Sequence, residues 1–464
     1  MTSGQPENAI DTGRLIRWYA DENRDAHMRE LVEYVAQPSV SSTGEGFPGI
    51  ADYVVALARR CGLDARAVST GGHPVVIGHA AGEADRPRVL IYGHYDVQPP
   101  GPLAAWASPP YRAQLRDGRL YGRGTGDNKG QHLAHLLALR MLARLRGAIP
   151  CPVTVLLDGE EEIGSPHLGE AVDACHDELA ADLVIVSDGP VNDDGKAVIK
   201  LGVRGVLCFE LRANGAASPL NSGNWGGVAP NPAWQLVWLL ASMRAPDGRI
   251  LIPGFDEGVA ALSRGEQAAL RALPVDAEAL LAAIGAPAFD VPAELGYYQR
   301  LTRPTLTINS LTCEDGDGHR TVIPHVAVAK CEVRLVGGQR GETVTAAIAD
   351  HVRQVAPGVE FVPTMRAVEA CRTLPESPYT AAIRAGVQAS LGYEPLLKPA
   401  MAGTLPLHVL TDRLGAPCYV LPLANADQNN HAANENLEIR CLHDGIRVCA
   451  CVLLELAAGR QART

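Results

Sequence analysis

Apolar runs that stop at an acid or a histidine recur along this chain. Val89-Leu90-Ile91-Tyr92-Gly93 runs into His94 and Asp96, and Val153-Thr154-Val155-Leu156-Leu157 runs into Glu160, Glu161 and Glu162. Leu183-Val184-Ile185-Val186-Ser187 runs into Asp188, and Pro417-Cys418-Tyr419-Val420-Leu421 is followed, after a short polar loop, by His431. In an open α/β sheet, ligands bind outside the carboxyl ends of the strands. The endings are all His, Asp or Glu and none is a thiolate, a donor set that predicts a hydrolytic site for divalent metal.

The remaining pattern organises the chain. Arg14 to Ala36 and Ile50 to Cys61 carry apolar residues at helical spacing, while Val75 to Gly78 and Val89 to Tyr92 read as short strands. Gly130 to Leu145, with Leu133, Leu136, Leu137, Met141 and Leu142, predicts a helix that opens just after a glycine-rich loop. Such βα alternation predicts a mostly parallel sheet. The pattern changes near Gly202. Val206 to Arg212 reads as a strand, Asn231 to Ala245 as a helix, Val322 to Leu335 as a strand of period two, and Val344 to Val355 as a helix. The βα character returns after about Cys371. The expectation is an α/β protein whose mostly parallel-sheet catalytic domain, residues 1–203 and 371–464, is interrupted by an inserted α+β domain over residues 204–370.

At 464 residues, with 47% hydrophobic and 20% charged side chains, the composition is that of an ordinary globular protein of about two domains. No apolar run is long enough to span a bilayer. Met1 to Arg14 is polar, without a basic n-region or an apolar h-region, which predicts a cytoplasmic protein. The eleven cysteines lack paired spacings and read as reduced thiols. A net charge of -11 argues against a nucleic-acid partner.

Three segments carry chemistry. His94 and Asp96 are two apart at a strand end, so both side chains point the same way, although a lone His-x-Asp is usually a surface accident. Gly122-Arg123-Gly124-Thr125-Gly126-Asp127-Asn128-Lys129-Gly130 lacks the spacing of a phosphate loop. It reads either as a plain turn with a capping Asp or as a turn that aims Asp127 at a metal. Glu160-Glu161-Glu162 would ordinarily be a solvated charge run. Its place between a buried strand and Ile163-Gly164-Ser165-Pro166 favours carboxylates held by cations or protons.

Gly93-His94-Tyr95-Asp96-Val97-Gln98-Pro99-Pro100, Trp106-Ala107-Ser108-Pro109-Pro110 and Asp117-Gly118-Arg119-Leu120-Tyr121-Gly122-Arg123-Gly124 together resemble the signature of a dinuclear-zinc metallopeptidase family. That family contains carnosinase, the cytosolic nonspecific dipeptidase, carboxypeptidase G and succinyl-diaminopimelate desuccinylase. The likeness is to its dipeptidase branch above all. It continues through 159–165, 221–232, 321–324 and 431–436, so it spans nearly the whole chain. The resemblance implies two divalent metal ions. His94 and Asp188 would hold one, Glu162 and His431 the other, and Asp127 would bridge both. Zinc is implied, with manganese and cobalt as alternatives because imidazole and carboxylate serve all three. It further implies Glu161 as general base, Asp96 orienting His94, and a cis peptide at Asp127-Asn128. Arg334, a guanidinium suited to bidentate work, would grip the substrate's carboxylate. Thr321, Gly403 and Thr404 would bind substrate near it. The inserted domain would be a lid that closes over the site and pairs the chain into a homodimer.

The sequence departs from that pattern at Asn221, where the family has a histidine that reaches the partner's site and stabilises the developing oxyanion. Asparagine donates a neutral hydrogen bond but supplies no imidazolium charge. Loss of an oxyanion donor typically costs about 2.7–4 kcal/mol. Smaller departures are Asn128, where an Asp is common, and Ala402-Gly403-Thr404 in place of Gly-Gly-Ser. The leading expectation is hydrolysis of a dipeptide or an N-acyl amino acid. One alternative keeps the machinery but acts on a specialised amide. Another is a non-catalytic binding protein, which the complete set of ligands and base disfavours.

Overall fold

The structure is a computed structural model that describes residues 12–290, 296–313 and 320–459. Val89–His94 is buried at every position and lies parallel to Val153–Asp158 on one side and to Leu183–Val186 on the other. An apolar run without alternation is what a strand covered on both faces requires. Cys418–Val420 adds in parallel beyond Leu183–Val186. Further strands complete an eight-stranded, mostly parallel sheet, Asp64–Val68 and Val75–Ala80 at one end and Val198–Lys200 and Leu396–Lys398 at the other. His94, Asp158 and Asp188 therefore gather at one carboxyl edge. The helix Lys129–Arg146, buried along most of its length, packs against Ile439–Ala458 in the same core. Among the described residues no cysteine forms a disulfide.

The chain divides into two compact units. The first comprises 1–201, 373–398 and 409–464, and the second 202–372 and 399–408. Pro399–His408, expected within the catalytic domain, belongs to the second unit. That unit holds a four-stranded antiparallel sheet in the order Thr305–Cys313, Val326–Leu335, Gly205–Asn214, Val359–Pro363. Gly205–Asn214 alternates as a half-covered strand must: Leu207, Phe209, Leu211 and Ala213 face a core closed by Leu236 and Leu239 of the helix Pro232–Met243 and by Val344 and Ile348 of the helix Gly341–Val355.

Two expected elements are interrupted. The helix expected over Arg14 to Ala36 is two helices, Thr12–Glu22 and Arg24–Val35, broken at Asn23, whose side chain donates to the Tyr19 carbonyl. The strand expected over Val322 to Leu335 stops at Pro324, which offers no N–H to a ladder. Val322–Ile323 pairs with Leu220–Asn221, and only Val326–Leu335 joins the four-stranded sheet. No helix among the described residues is long and apolar enough to cross a membrane.

His27, on the second of these helices, is wholly buried, and neither ring nitrogen has a hydrogen-bond partner. Burial, helped by the Arg140 and His443 charges, pulls it down to about 4. The folded state therefore holds His27 neutral where the unfolded chain protonates it. Stability falls as pH drops from about 6.5 towards 4, by about 1.4 kcal/mol per pH unit for this histidine. Denaturant midpoints measured across that window should show the slope, and His27→Phe should reduce it. An unchanged slope in the variant would refute the assignment.

Candidate metal centre

His94 ends its strand wholly buried, with Nδ1 3.1 Å from the Asp96 carbonyl oxygen and 3.3 Å from Asp96 Oδ1. Two acceptors beside Nδ1 favour the tautomer protonated there, which leaves the Nε2 lone pair facing the site. The same Asp96 carboxylate accepts the Glu161 N–H at 3.1 Å and the Glu162 N–H at 3.0 Å. Asp96 thus holds His94 and also anchors the single 3-10 turn Glu161–Ile163 that carries the acids. Nε2 of His94 faces Asp127 Oδ1 at 3.2 Å, Asp188 Oδ2 at 3.5 Å and Glu161 Oε2 at 4.0 Å. It has no aligned hydrogen-bond partner despite its burial. Lone pairs converging in this way need a proton or a cation between them.

Asp127 turns its other oxygen to His431 Nε2 at 3.0 Å, and His431 Nε2 lies 3.1 Å from Glu162 Oε2. Two donor sets result, His94–Asp127–Asp188 and Asp127–Glu162–His431, and each could hold a metal ion. Asp127 belongs to both. The Asp127-Asn128 peptide is cis. Gln98 Nε2 donates to Glu162 Oε2 at 2.9 Å, and Gly189 N–H donates to Asp188 Oδ1.

The electrostatics fit a cation. Burial opposes charge on His94, yet Asp127, Asp188 and Asp96 raise it well above the ordinary imidazole value. Asp127 and Glu162 raise His431 to about 10. Burial pushes the Glu161 carboxyl well above the usual range, and Asp188, Glu162 and Asp96 push it further. Without a cation the cluster retains extra protons, and an entering divalent ion would displace them.

The loops that bring these groups together depend on a residue the sequence did not single out. Glu435, wholly buried, accepts the N–H groups of Gly124, Gly126 and Asp127 at 3.0 Å each and Arg123 Nη1 at 2.7 Å. It lies four residues after His431, so one carboxylate ties the His431 loop to the Asp127 loop. Burial pushes Glu435 up to about 7, against the pull of Arg123. Gly124 takes a φ of +89°, and a Cβ on Gly130 would stand 2.1 Å from the Thr125 carbonyl oxygen, so the loop needs its glycines there. Asn429, His431 and Asn434 all adopt positive φ, a strained arrangement in one short loop. The signal for Glu435 in the sequence was a lone acid after a polar loop, which has no periodicity to read.

Asn128 has a local reason. Its amide donates to the Ser187 carbonyl at 2.7 Å, a bond that an ionised Asp could not make, and its oxygen faces His132 Nδ1 at 3.2 Å. On the second unit, Asn221 and Thr321 come together. The Ser222 N–H donates to the Thr321 carbonyl at 2.8 Å, and Asn221 Oδ1 caps the turn Ser222–Trp225 by accepting Gly223 and Asn224 N–H at 2.9 and 3.2 Å. Arg334 Nη1 donates to Thr404 Oγ1 at 2.9 Å, and the Gly403 carbonyl accepts the Arg204 N–H at 3.3 Å.

Imidazole and carboxylate donors at the carboxyl edge of a mostly parallel sheet define a metal-dependent hydrolase. Residues 90–455 match Peptidase family M20/M25/M40, and the chain belongs to that family. It is 27% identical over 462 residues to the Cys-Gly metallodipeptidase dug1 of Schizosaccharomyces pombe, covering 94% of this chain and 97% of that one. It is 28% identical over 397 residues to the Beta-Ala-His dipeptidase of Rattus norvegicus, covering 83% and 80%. Among solved structures it is similar to the M20 family metallo-carboxypeptidase Sso-CP2 from Sulfolobus solfataricus, with a TM-score of 0.82 and 29% identity over 93% of this chain and 99% of that one. The likeness to the dipeptidase branch holds, and the chain is a dipeptidase-like metallopeptidase.

Glu435→Gln would turn an amide donor towards a ring of N–H groups. It should weaken divalent-metal binding by about 10- to 100-fold and lower the melting temperature. Chelator competition and thermal melting check this; wild-type values of both would remove Glu435 from the site's support.

Proposed function

We propose that this enzyme hydrolyses the amide bond of a dipeptide or an N-acyl amino acid with a free carboxylate. The observation that carries this reading is the sharing of Asp127 between two donor sets with the Glu161 carboxylate beside them. Two divalent ions, zinc by the family resemblance, would polarise the scissile carbonyl and acidify a water. His94 and Asp188 would hold one ion, Glu162 and His431 the other, and Asp127 both. Asp96 keeps His94 in the tautomer protonated at Nδ1, which leaves the Nε2 lone pair for a metal ion. Glu161 takes the proton of the attacking water as the C–O bond forms, and returns it to the leaving nitrogen as the C–N bond breaks. Arg334 and Thr404 bind the carboxylate, and Thr321 and the Asn221 amide bind substrate. Cys-Gly and β-Ala-His, after which the relatives are named, are the first substrates to test.

Glu161→Gln should retain metal by elemental analysis yet lose about 10²- to 10⁴-fold in kcat on the dipeptide cleaved best. Full activity in that variant would sink the general-base role. Chelation that left every amide's hydrolysis unchanged would sink the metal-dependent reading itself.

A second reading, a specialised amide substrate, is supported by Asn221. Its Oδ1 is committed to the turn, so only the neutral amide N–H remains to meet an oxyanion. A screen of dipeptides against acylated and unusual amides separates the readings, with rapid dipeptide turnover favouring the first.

We also propose a homodimer formed through the second unit. On the helix Pro232–Met243, Leu236, Leu239 and Met243 are buried while Trp234, Val237 and Trp238 are exposed. The two tryptophans stack at 5.8 Å, with Trp225 and Val228 also exposed. Large apolar faces of this kind mark protein interfaces. Light scattering should find a dimer, and Trp234→Glu with Trp238→Glu should yield monomer. A double variant that stays dimeric would place the interface elsewhere.

A further inference from the structure

Two guanidiniums converge on one turn of the second unit. Arg204, between the strands Gly202–Val203 and Gly205–Asn214, donates its N–H to the Gly403 carbonyl at 3.3 Å and its Nε to the Ala402 carbonyl at 2.9 Å. Arg334 donates Nη1 to Thr404 Oγ1 at 2.9 Å. The residues 402–404 therefore receive both side chains.

The two differ in how their charge is met. Arg334 also donates Nε to Glu332 Oε1 at 2.6 Å. Glu332 and Arg334 are two apart on one strand, so they share a face. That ion pair neutralises Arg334 before any substrate arrives. Arg204 is half-buried, and among the described residues no carboxylate forms an ion pair with it. Burial, chiefly, and the neighbouring Arg334 charge pull its guanidinium down to about 10, against the opposing pull of Tyr297 and Glu332. Two cations and one anion leave a net positive charge beside this turn, and Arg204 is the arginine of the two that no carboxylate pairs with among the described residues. Its two terminal amino groups are the fork that a carboxylate accepts bidentately.

We infer that Arg204 is a specificity-determining residue that supplies the net positive charge for the substrate's free carboxylate, while Arg334, neutralised by Glu332, supplies directed hydrogen bonds. This rests on the proposed amide hydrolysis. It follows that Glu332 weakens the clamp by occupying one of its two arginines, and that removing the Glu332 charge should tighten it.

The test compares Ala-Ala with its C-terminal carboxamide on zinc-loaded wild type, Arg204→Met, Arg204→Lys and Glu332→Gln. Steady-state kinetics are paired with calorimetric titration of both probes into the same proteins carrying Glu161→Gln, where binding needs no turnover. Arg204→Met should raise KM and Kd for Ala-Ala by about 10- to 100-fold, with little change for the carboxamide and in kcat. Arg204→Lys should recover part of the loss, since it keeps the charge but not the fork. Glu332→Gln should lower KM for Ala-Ala, an improvement that mere structural damage would not produce. Equal effects of Arg204→Met on the two probes, or none, overturn the inference. If wild type cleaves neither probe, the hydrolytic reading is what fails for this substrate, and the titration alone decides Arg204. Selective loss of Ala-Ala binding sustains it; unchanged binding, or binding of neither probe by the Arg204-containing protein, overturns it.

Discussion

Negative charge placed where water scarcely reaches is the constraint on which this structure depends. Asp96, Asp127 and Asp188 are buried, and the Glu161 and Glu162 side chains are nearly so. His94 and His431 stand among them as possible cations. Buried carboxylates at such separations are costly unless something positive lies between them. The high proton affinity of His94, His431 and Glu161 expresses that cost. A divalent cation resolves it with more charge in less space than protons can supply.

Much of the surrounding architecture holds those acids against their repulsion. Backbone N–H groups do part of this: Asp96 takes those of Glu161 and Glu162, and Glu435 takes those of Gly124, Gly126 and Asp127. These buried acids fix the loops that carry the other site residues. The left-handed conformations at Asn429, His431 and Asn434 are tolerated because this network defines the path of the loop. Glu435 joins chain segments more than 300 residues apart, so the second portion of the catalytic unit is needed to shape the first.

The second unit handles charge on a smaller scale. A half-buried arginine pair is offset by one acid, an imbalance that suits the approach of an anion. Asn221 illustrates another economy of donors and acceptors: its oxygen closes a local turn, leaving the amide protons for whatever approaches. Arg334 stood out in the sequence by its strand position and family resemblance, whereas nothing there revealed that Glu332 already engages it.

The sequence by itself determined the class of the sheet and the identity of the main metal-ligand candidates. Strands buried on both faces must be continuously apolar, so the polar residue that ends each run is conspicuous; His94 and Asp188 were legible for that reason. The period-two pattern of Val326 to Arg334 marked an antiparallel strand with equal clarity. Pairing partners were not legible. The break at Pro324, the grouping of Pro399–His408 with the second unit, and the roles of Glu435, Arg204 and Glu332 arise from contacts between distant residues, and a single acid or arginine in a loop carries no local periodicity. Tertiary structure alone decided which carboxylates stand unopposed and which are already paired, because charge compensation depends on separation in space and not on position along the chain.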